Sequence, residues 1–179
     1  MKYSIKQQFI DFIEAAVICS LVILLVYAFA GQPLRVQGSS MVPNFTDGEQ
    51  LIAEKITIKT EELKRGDIVI VKHPARLDRL VIKRVVGLPN EVFLIKEGLV
   101  YINGASLNEN YLPTDVKTLG GEAIKESVEY QIPEGDYILM GDNRENSTDS
   151  RNWGALKKDL IVGKAFVIYY PLSKARLIS

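Results

Sequence analysis

Hydrophobic and polar positions divide the chain into two regimes. From Phe12 to Ala30 it reads FIEAAVICSLVILLVYAFA, with Glu14 the only charge. As an α-helix these nineteen residues span about 28 Å at 1.5 Å per residue, close to a hydrocarbon core of about 30 Å. Gly31 and Pro33 then stop the helix. Beyond Gln32 the period shortens. Val-, Ile- and Tyr-rich runs at Gln50–Glu54, Asp67–Lys72, Arg79–Val86, Glu91–Ile95, Leu99–Ile102, Tyr137–Met140 and Val162–Tyr170 are separated by Gly, Pro, Asn or Asp. They predict short strands. Leu94–Gly104 predicts a hairpin turning at Lys96–Gly98, and Thr60–Leu63 one helical turn. Residues 105–128, polar and glycine-containing, predict an excursion from the sheet. The expected fold is mostly β: an N-terminal transmembrane helix, then an antiparallel β-sheet domain.

The first stretch has a second reading. Lys2 and Lys6 could form the n-region of a cleavable signal peptide, Val17–Tyr27 its h-region and Ala28-Phe29-Ala30 its A-x-A site. Asp11 and Glu14 make a poor n-region, so a retained anchor over 12–31 is the expectation, with 1–11 before it and the β domain over 32–179.

Charge narrows the function classes. The 22 basic and 22 acidic side chains cancel, so no surplus of positive charge is available to neutralise phosphates, and nucleic acid is an unsuitable partner. The lone Cys19 lies in the apolar stretch and the lone histidine is His73. Thiol catalysis and a zinc ligand set are thereby excluded from the β domain, and no metal or cofactor is expected.

Three segments carry possible chemistry. Gly38-Ser39-Ser40-Met41-Val42-Pro43-Asn44-Phe45 puts a serine among small neighbours between a strand and a turn. In Leu80-Val81-Ile82-Lys83-Arg84-Val85-Val86, alternation places Val81, Lys83 and Val85 on one face. Burial there lowers a lysine pKa, whereas arginine cannot be neutralised in that way. Met140–Gly154 threads Arg144 and Arg151 among Asp142, Asp149 and three asparagines, a density suited to a rigid hydrogen-bonded network. Taken singly, the segments also fit a plain turn, a lysine-guarded edge strand and a solvated loop.

The histidine count decides among mechanisms. A nucleophilic serine needs a base. His73 precedes Pro74 at what reads as an exposed strand end, and no G-x-S-x-G elbow is present. Lysine remains. An ordinary lysine, with pKa ~10.4, is neutral only about once in 2,500 molecules at pH 7. A base at about 7–8 therefore needs roughly 3–5 kcal/mol of destabilisation of the ammonium, within reach of burial on a valine-lined face.

Together the three segments resemble the bacterial type I signal peptidases, membrane-bound Ser/Lys-dyad proteases. Ser40-Met41-Val42-Pro43 resembles that family's nucleophile box, and Lys83-Arg84-Val85-Val86-Gly87-Leu88-Pro89 its lysine box. Gly141-Asp142-Asn143-Arg144-x-x-Ser147-x-Asp149-Ser150-Arg151 resembles its third box. The resemblance implies that Ser40 attacks the scissile carbonyl, Lys83 carries its proton, and the Ser40 N–H serves the oxyanion hole. Ser147 would orient the Lys83 amine, with Asp149 and Arg151 bracing its loop and Arg84 in a supporting place. It further implies a monomeric single-pass plasma-membrane enzyme of the Gram-positive form, N-terminus cytoplasmic and catalytic domain extracytoplasmic. Its partners would be the lipid bilayer and preproteins cut after small-x-small sequences. Three positions depart from the family pattern. Gly38 stands where some members have an oxyanion-donating serine, Asn44 replaces a threonine, and Asn90-Glu91 replaces Gly-Asp.

Ten residues separate Ala30 from Ser40, at most about 33–36 Å when extended, so the nucleophile stays near the bilayer. A substrate strand would pair with Leu34, Val36 and Gln37 on one side and Leu80, Val81 and Ile82 on the other. Ala28-Phe29-Ala30 makes self-cleavage a further expectation. The competing readings are a self-cleaving SOS-type repressor protease, which lacks a helix-turn-helix domain here, and an anchored β domain that only binds a partner.

Overall fold

In this computed structural model, residues 4–29 and 31–178 are described, with side chains at all but 24–29. Helix α1, Ile5–Phe29, contains the apolar stretch. Among the described residues no helix is long and apolar enough to cross a membrane. Of the predicted anchor, 12–31, and of Ala28-Phe29-Ala30, Ala30 lies outside the described residues, and the side chains of 24–29 are not described. Where α1 side chains are described they are exposed around the whole helix, Phe12, Ile13, Val17, Ile18, Leu21, Val22 and Ile23 among them.

The β domain follows at once. Its strands are β1 (Gln32–Arg35), β2 (Gln50–Glu54), β3 (Ile68–His73), β4 (Arg76–Gly87), β5 (Val92–Lys96), β6 (Leu99–Ile102), β7 (Ala105–Ser106), β8 (Tyr130–Gln131), β9 (Asp136–Met140), β10 (Leu156–Lys157), β11 (Ile161–Tyr170) and β12 (Arg176–Leu177). They form two antiparallel sheets. The larger has the order β1-β2-β11-β3-β4-β9-β10, with β12 on β11; the smaller is β7-β6-β5-β8. The smaller sheet turns at Glu97 and Gly98, both at positive φ (55° and 81°), as a tight two-residue hairpin requires.

Alternation in the sequence becomes two packed faces. Ile68 and Ile70 of β3 join Met41, Phe45, Leu51, Ile82 and Ile168 in one cluster. Val69 and Val71, from the same strand, join Val85, Leu139 and Ile161 in another. A third cluster, around Phe93, Ile95, Ile102, Ile138 and Met140, joins the two sheets. Because β3 and the second half of β4 are covered on both faces, any polar side chain on Ile82–Gly87 is buried as well.

Two local expectations are corrected. The helical turn near Thr60–Leu63 is instead α2, Ile56–Thr60. Glu54 Oε2 accepts from the Ile56 and Thr57 N–H groups at 2.8 and 2.9 Å and so starts a helix in an Ile-Thr-Ile run that reads as strand. His73 does end β3, as expected, but it is half-buried, its ring meeting Trp153 edge-on at 4.9 Å.

Candidate active site

Ser40 sits on a turn pinned at both sides. Met41 and Phe45 are buried (1% and 3% exposed) and hold the segment down as core residues. Val36 is tied to the next loop by its N–H on Glu49 O and its carbonyl under Gly48 N–H. Gly38 reverses the chain at φ +86°, a conformation that L side chains rarely adopt. Its N–H donates to Asp47 Oδ1 at 2.8 Å, so Gly38 is occupied in shaping the turn.

Lys83 comes from the doubly covered half of β4. Its Nζ donates to Ser40 Oγ at 2.9 Å, and the residue is 2% exposed. Burial lowers its pKa to about 8; Asp149 and Asp142 oppose the change, and Arg151 and Arg79 add to it. Burial is the largest cause because no carboxylate touches the amine. Arg84, the next residue, is buried on the other face and has a full partner. Its Nε and Nη2 donate to Asp142 Oδ1 and Oδ2 at 2.8 and 2.7 Å, and its guanidinium lies 4.0 Å from the Tyr111 ring centroid.

The third segment is the network its composition predicts. Arg151 donates from Nε and Nη2 to Asp149 Oδ1 and Oδ2 at 2.8 and 2.9 Å, and from Nη2 to Ser147 O at 3.2 Å. Asp149 Oδ2 also accepts from Gly141 N–H at 3.0 Å. Burial would raise the Asp149 pKa; the Arg151 guanidinium and the Gly141 N–H outweigh it and hold the carboxyl below its usual range. Asp149 also caps α3, Ser150–Trp153.

Ser147 departs from its implied role. Its Oγ is buried and has no hydrogen-bond partner, Lys83 included. The hydroxyl faces Gly141, where a Cβ would lie 2.2 Å from it. It adds to the lowering of the Asp149 pKa by proximity, without the geometry of a hydrogen bond.

Asn143 carried no assigned role in the sequence, yet its N–H donates to Ser40 O at 3.0 Å and its Nδ2 to Ser39 O at 3.1 Å. Asn44 Nδ2 bridges Asp142 Oδ2 and Tyr111 O, both at 2.8 Å. Arg144 clasps Glu109 through Nη1 and Nη2 at 3.1 and 2.6 Å, and Thr118 Oγ1 at 2.5 Å. The excursion predicted over 105–128 starts only after β7, since Ala105–Ser106 pair with β6, and it is thus bolted to the loop that carries Asp149. The sequence signal for these contacts was the excursion's own scattered polar residues, which name no partner.

Ser40 and Lys83 open into a cleft of about 690 Å³, lined on one side by Leu34, Val36 and Gln37 and on the other by Leu80, Val81 and Ile82. Strand β1 ends the larger sheet, and β9 pairs with β4 only from Arg84 onward. Among the described residues, β1 and the Leu80–Ile82 part of β4 therefore each have one edge without a sheet neighbour. His73 lines the same cleft, but its Nδ1 accepts from Ala75 N–H at 3.1 Å. Burial, Arg79, Arg76 and Lys83 all lower its pKa. It contacts neither Ser40 nor Lys83 by a hydrogen bond.

Comparison with known proteins adds an independent line. The family model described as signal peptidase, peptidase S26, matches residues 9–170. Signal peptidase I of Bacillus licheniformis is 35% identical over 175 residues, covering 96% of this chain and 94% of that protein. Signal peptidase I T of Bacillus subtilis (strain 168) is 38% identical over 172 residues, 94% and 89% of the two chains. A solved signal peptidase I from Enterococcus faecalis V583 shares 31% identity over 58% of this chain and 97% of that one, with a TM-score of 0.49.

Proposed function

The chain belongs to the signal peptidase S26 family and is a peptidase; on that premise we propose that it removes signal peptides from exported proteins with a Ser40/Lys83 dyad. The 2.9 Å contact between Lys83 Nζ and Ser40 Oγ carries this reading. A lysine with pKa of about 8 is neutral in roughly one molecule in ten at pH 7. That fraction is about two hundred times the value for an ordinary lysine.

The chemistry follows from the contact. Neutral Lys83 takes the Ser40 hydroxyl proton as Oγ bonds to the scissile carbonyl carbon. The carbonyl oxygen becomes an oxyanion, to which the Ser40 N–H, with no backbone acceptor among the described residues, donates. The Lys83 ammonium returns its proton to the leaving amine as the peptide bond breaks, which leaves an ester on Ser40. Water, deprotonated by the same amine, bonds to the ester carbon; the bond to Ser40 Oγ breaks as Lys83 returns the proton to it, and the cleaved signal peptide leaves as a carboxylic acid. Asp149 and Arg151 hold the loop beside Lys83, and Arg84 with Asp142 fixes the strand that carries it. Ser147 acts by packing against Gly141 in the free enzyme.

The unpaired edges of β1 and β4 support an extended substrate held by strand addition, with Leu34, Val36, Gln37, Leu80, Val81 and Ile82 along it. Small side chains at the first and third positions before the cut fit a cleft walled by Val36 and Ile82. The segment 12–31 serves as a single-pass plasma-membrane anchor. From Phe12 to Ile23 the exposed side chains are apolar apart from Glu14 and Ser20, and lipid is the matching solvent for such a surface. The catalytic domain then lies on the extracytoplasmic face as a monomer, near the ends of membrane-held substrates.

Incubation of the detergent-solubilised full chain with an A-x-A preprotein tests the proposal. Cleavage by the parent, and none by Ser40→Ala or Lys83→Ala, is expected. Cleavage by either variant excludes the dyad. A Ser40→Ala copy mixed with active enzyme should also lose its residues 1–30 if Ala28-Phe29-Ala30 is a self-cleavage site.

A further inference from the structure

We infer that Asn143 is the residue that positions the oxyanion donor. The argument rests on the reading of Ser40 as nucleophile and goes beyond it to the peptide groups on either side. A peptide unit is planar and trans, so its C=O and N–H point in opposite directions. The carbonyl of Ser39 and the N–H of Ser40 belong to one such unit. Whatever fixes Ser39 O therefore aims the Ser40 N–H.

Asn143 Nδ2 donates to Ser39 O at 3.1 Å, joined by the Val42 N–H at 3.1 Å. Asn143 N–H donates to Ser40 O at 3.0 Å. One residue thus holds both peptide units that meet at the Ser40 Cα. Its own amide is set by Asn146, whose Nδ2 donates to Asn143 Oδ1 at 3.3 Å. Donation into Ser39 C=O also polarises the same unit and strengthens its N–H as a donor.

The alternative holder is absent from its place. Gly38, where a side-chain donor would sit, has no side chain, and its N–H is committed to Asp47 Oδ1. The catalytic serine's N–H is left as the donor the turn provides, and its aim sets the stabilisation of the oxyanion. Neighbouring Gly141 shows how tightly the loop is pressed on this turn: a Cβ there would stand 2.4 Å from Ser40 O.

Asn143→Ala and Asn143→Asp in the full chain separate positioning from mere folding. Removal of one oxyanion donor costs about 10²–10³ in kcat, and misalignment of one should cost roughly 10–100-fold. KM should stay within about twofold, since the cleft walls are untouched. A peptide aldehyde, which forms a tetrahedral adduct with Ser40, should lose affinity by the factor lost in kcat. The matching peptide alcohol, which forms none, should bind as before. Unchanged kcat, or equal weakening of aldehyde and alcohol, overturns the inference. Activity retained by Ser40→Ala would instead remove the reading beneath it.

Discussion

Lys83 and Arg84 are consecutive and both buried, yet only Arg84 has a carboxylate against it. Arg84 is gripped by both oxygens of Asp142, while Lys83 meets the Ser40 hydroxyl. The difference divides their work. A paired guanidinium keeps its charge and acts as a strut. An unpaired buried ammonium is costly, and it sheds its proton within the neutral to mildly alkaline range.

That cost predicts that the proposed catalytic base destabilises the fold. A fall from 10.5 to about 8 corresponds to roughly 3 kcal/mol at about 1.4 kcal/mol per pH unit. Below pH 8 Lys83 is protonated in both folded and unfolded chains, and the penalty is present in full. From pH 8 to 10.5 the folded chain binds fewer protons than the unfolded one, so rising pH relieves it. Lys83→Met should therefore be inactive and should melt several degrees higher than the parent at pH 6–7. Melting curves at pH 6 and pH 10 check this: the gain should shrink at the higher pH.

The same group sets the rate profile. Activity should need neutral Lys83, so kcat/KM should rise about tenfold per pH unit at low pH and level off near pH 8. A peptide substrate without titratable groups, assayed from pH 6 to 10, reads this directly. A plateau reached below pH 6.5 would assign the titration to a group other than Lys83.

Arg84 and Asp142 make a different prediction. Truncation of one member of a buried ion pair leaves the other charged and unpaired, at about 3–5 kcal/mol. Asp142→Ala also removes one of the two acceptors of Asn44 Nδ2, Tyr111 O being the other. Chemical denaturation should show a loss of that size for Asp142→Ala. Any activity lost should follow the folded fraction, with the pH profile of the remaining enzyme unmoved.

The sequence disclosed most of the sheet and pointed to Ser40 and Lys83, which the fold brings into contact, because the signals for both are written locally. Period-two alternation marked β2, β3, β4 and β11 to within three residues, and the valines around Lys83 announced a buried amine. What stayed hidden is long-range. Nothing near Arg144 points to Glu109 or Thr118, and nothing near Asn44 points to Asp142, 98 positions away. The split into two sheets depends on such pairings as well. His73 ends its strand as read, but its partial burial was missed because its ring packs on Trp153, a contact with no local signature. Ser147 shows the converse: a motif position whose neighbours are as expected, but whose hydroxyl lacks its implied partner.

The central claim is that Ser40 carries the cleaved signal peptide as an ester, with Lys83 as the base. Acid quench during turnover of an A-x-A preprotein, followed by mass mapping of the enzyme, tests it most directly. The account predicts the signal-peptide fragment attached to the peptide that contains Ser40, and no adduct in Lys83→Ala. Turnover with an adduct on another residue, or undiminished adduct formation in Lys83→Ala, would contradict it.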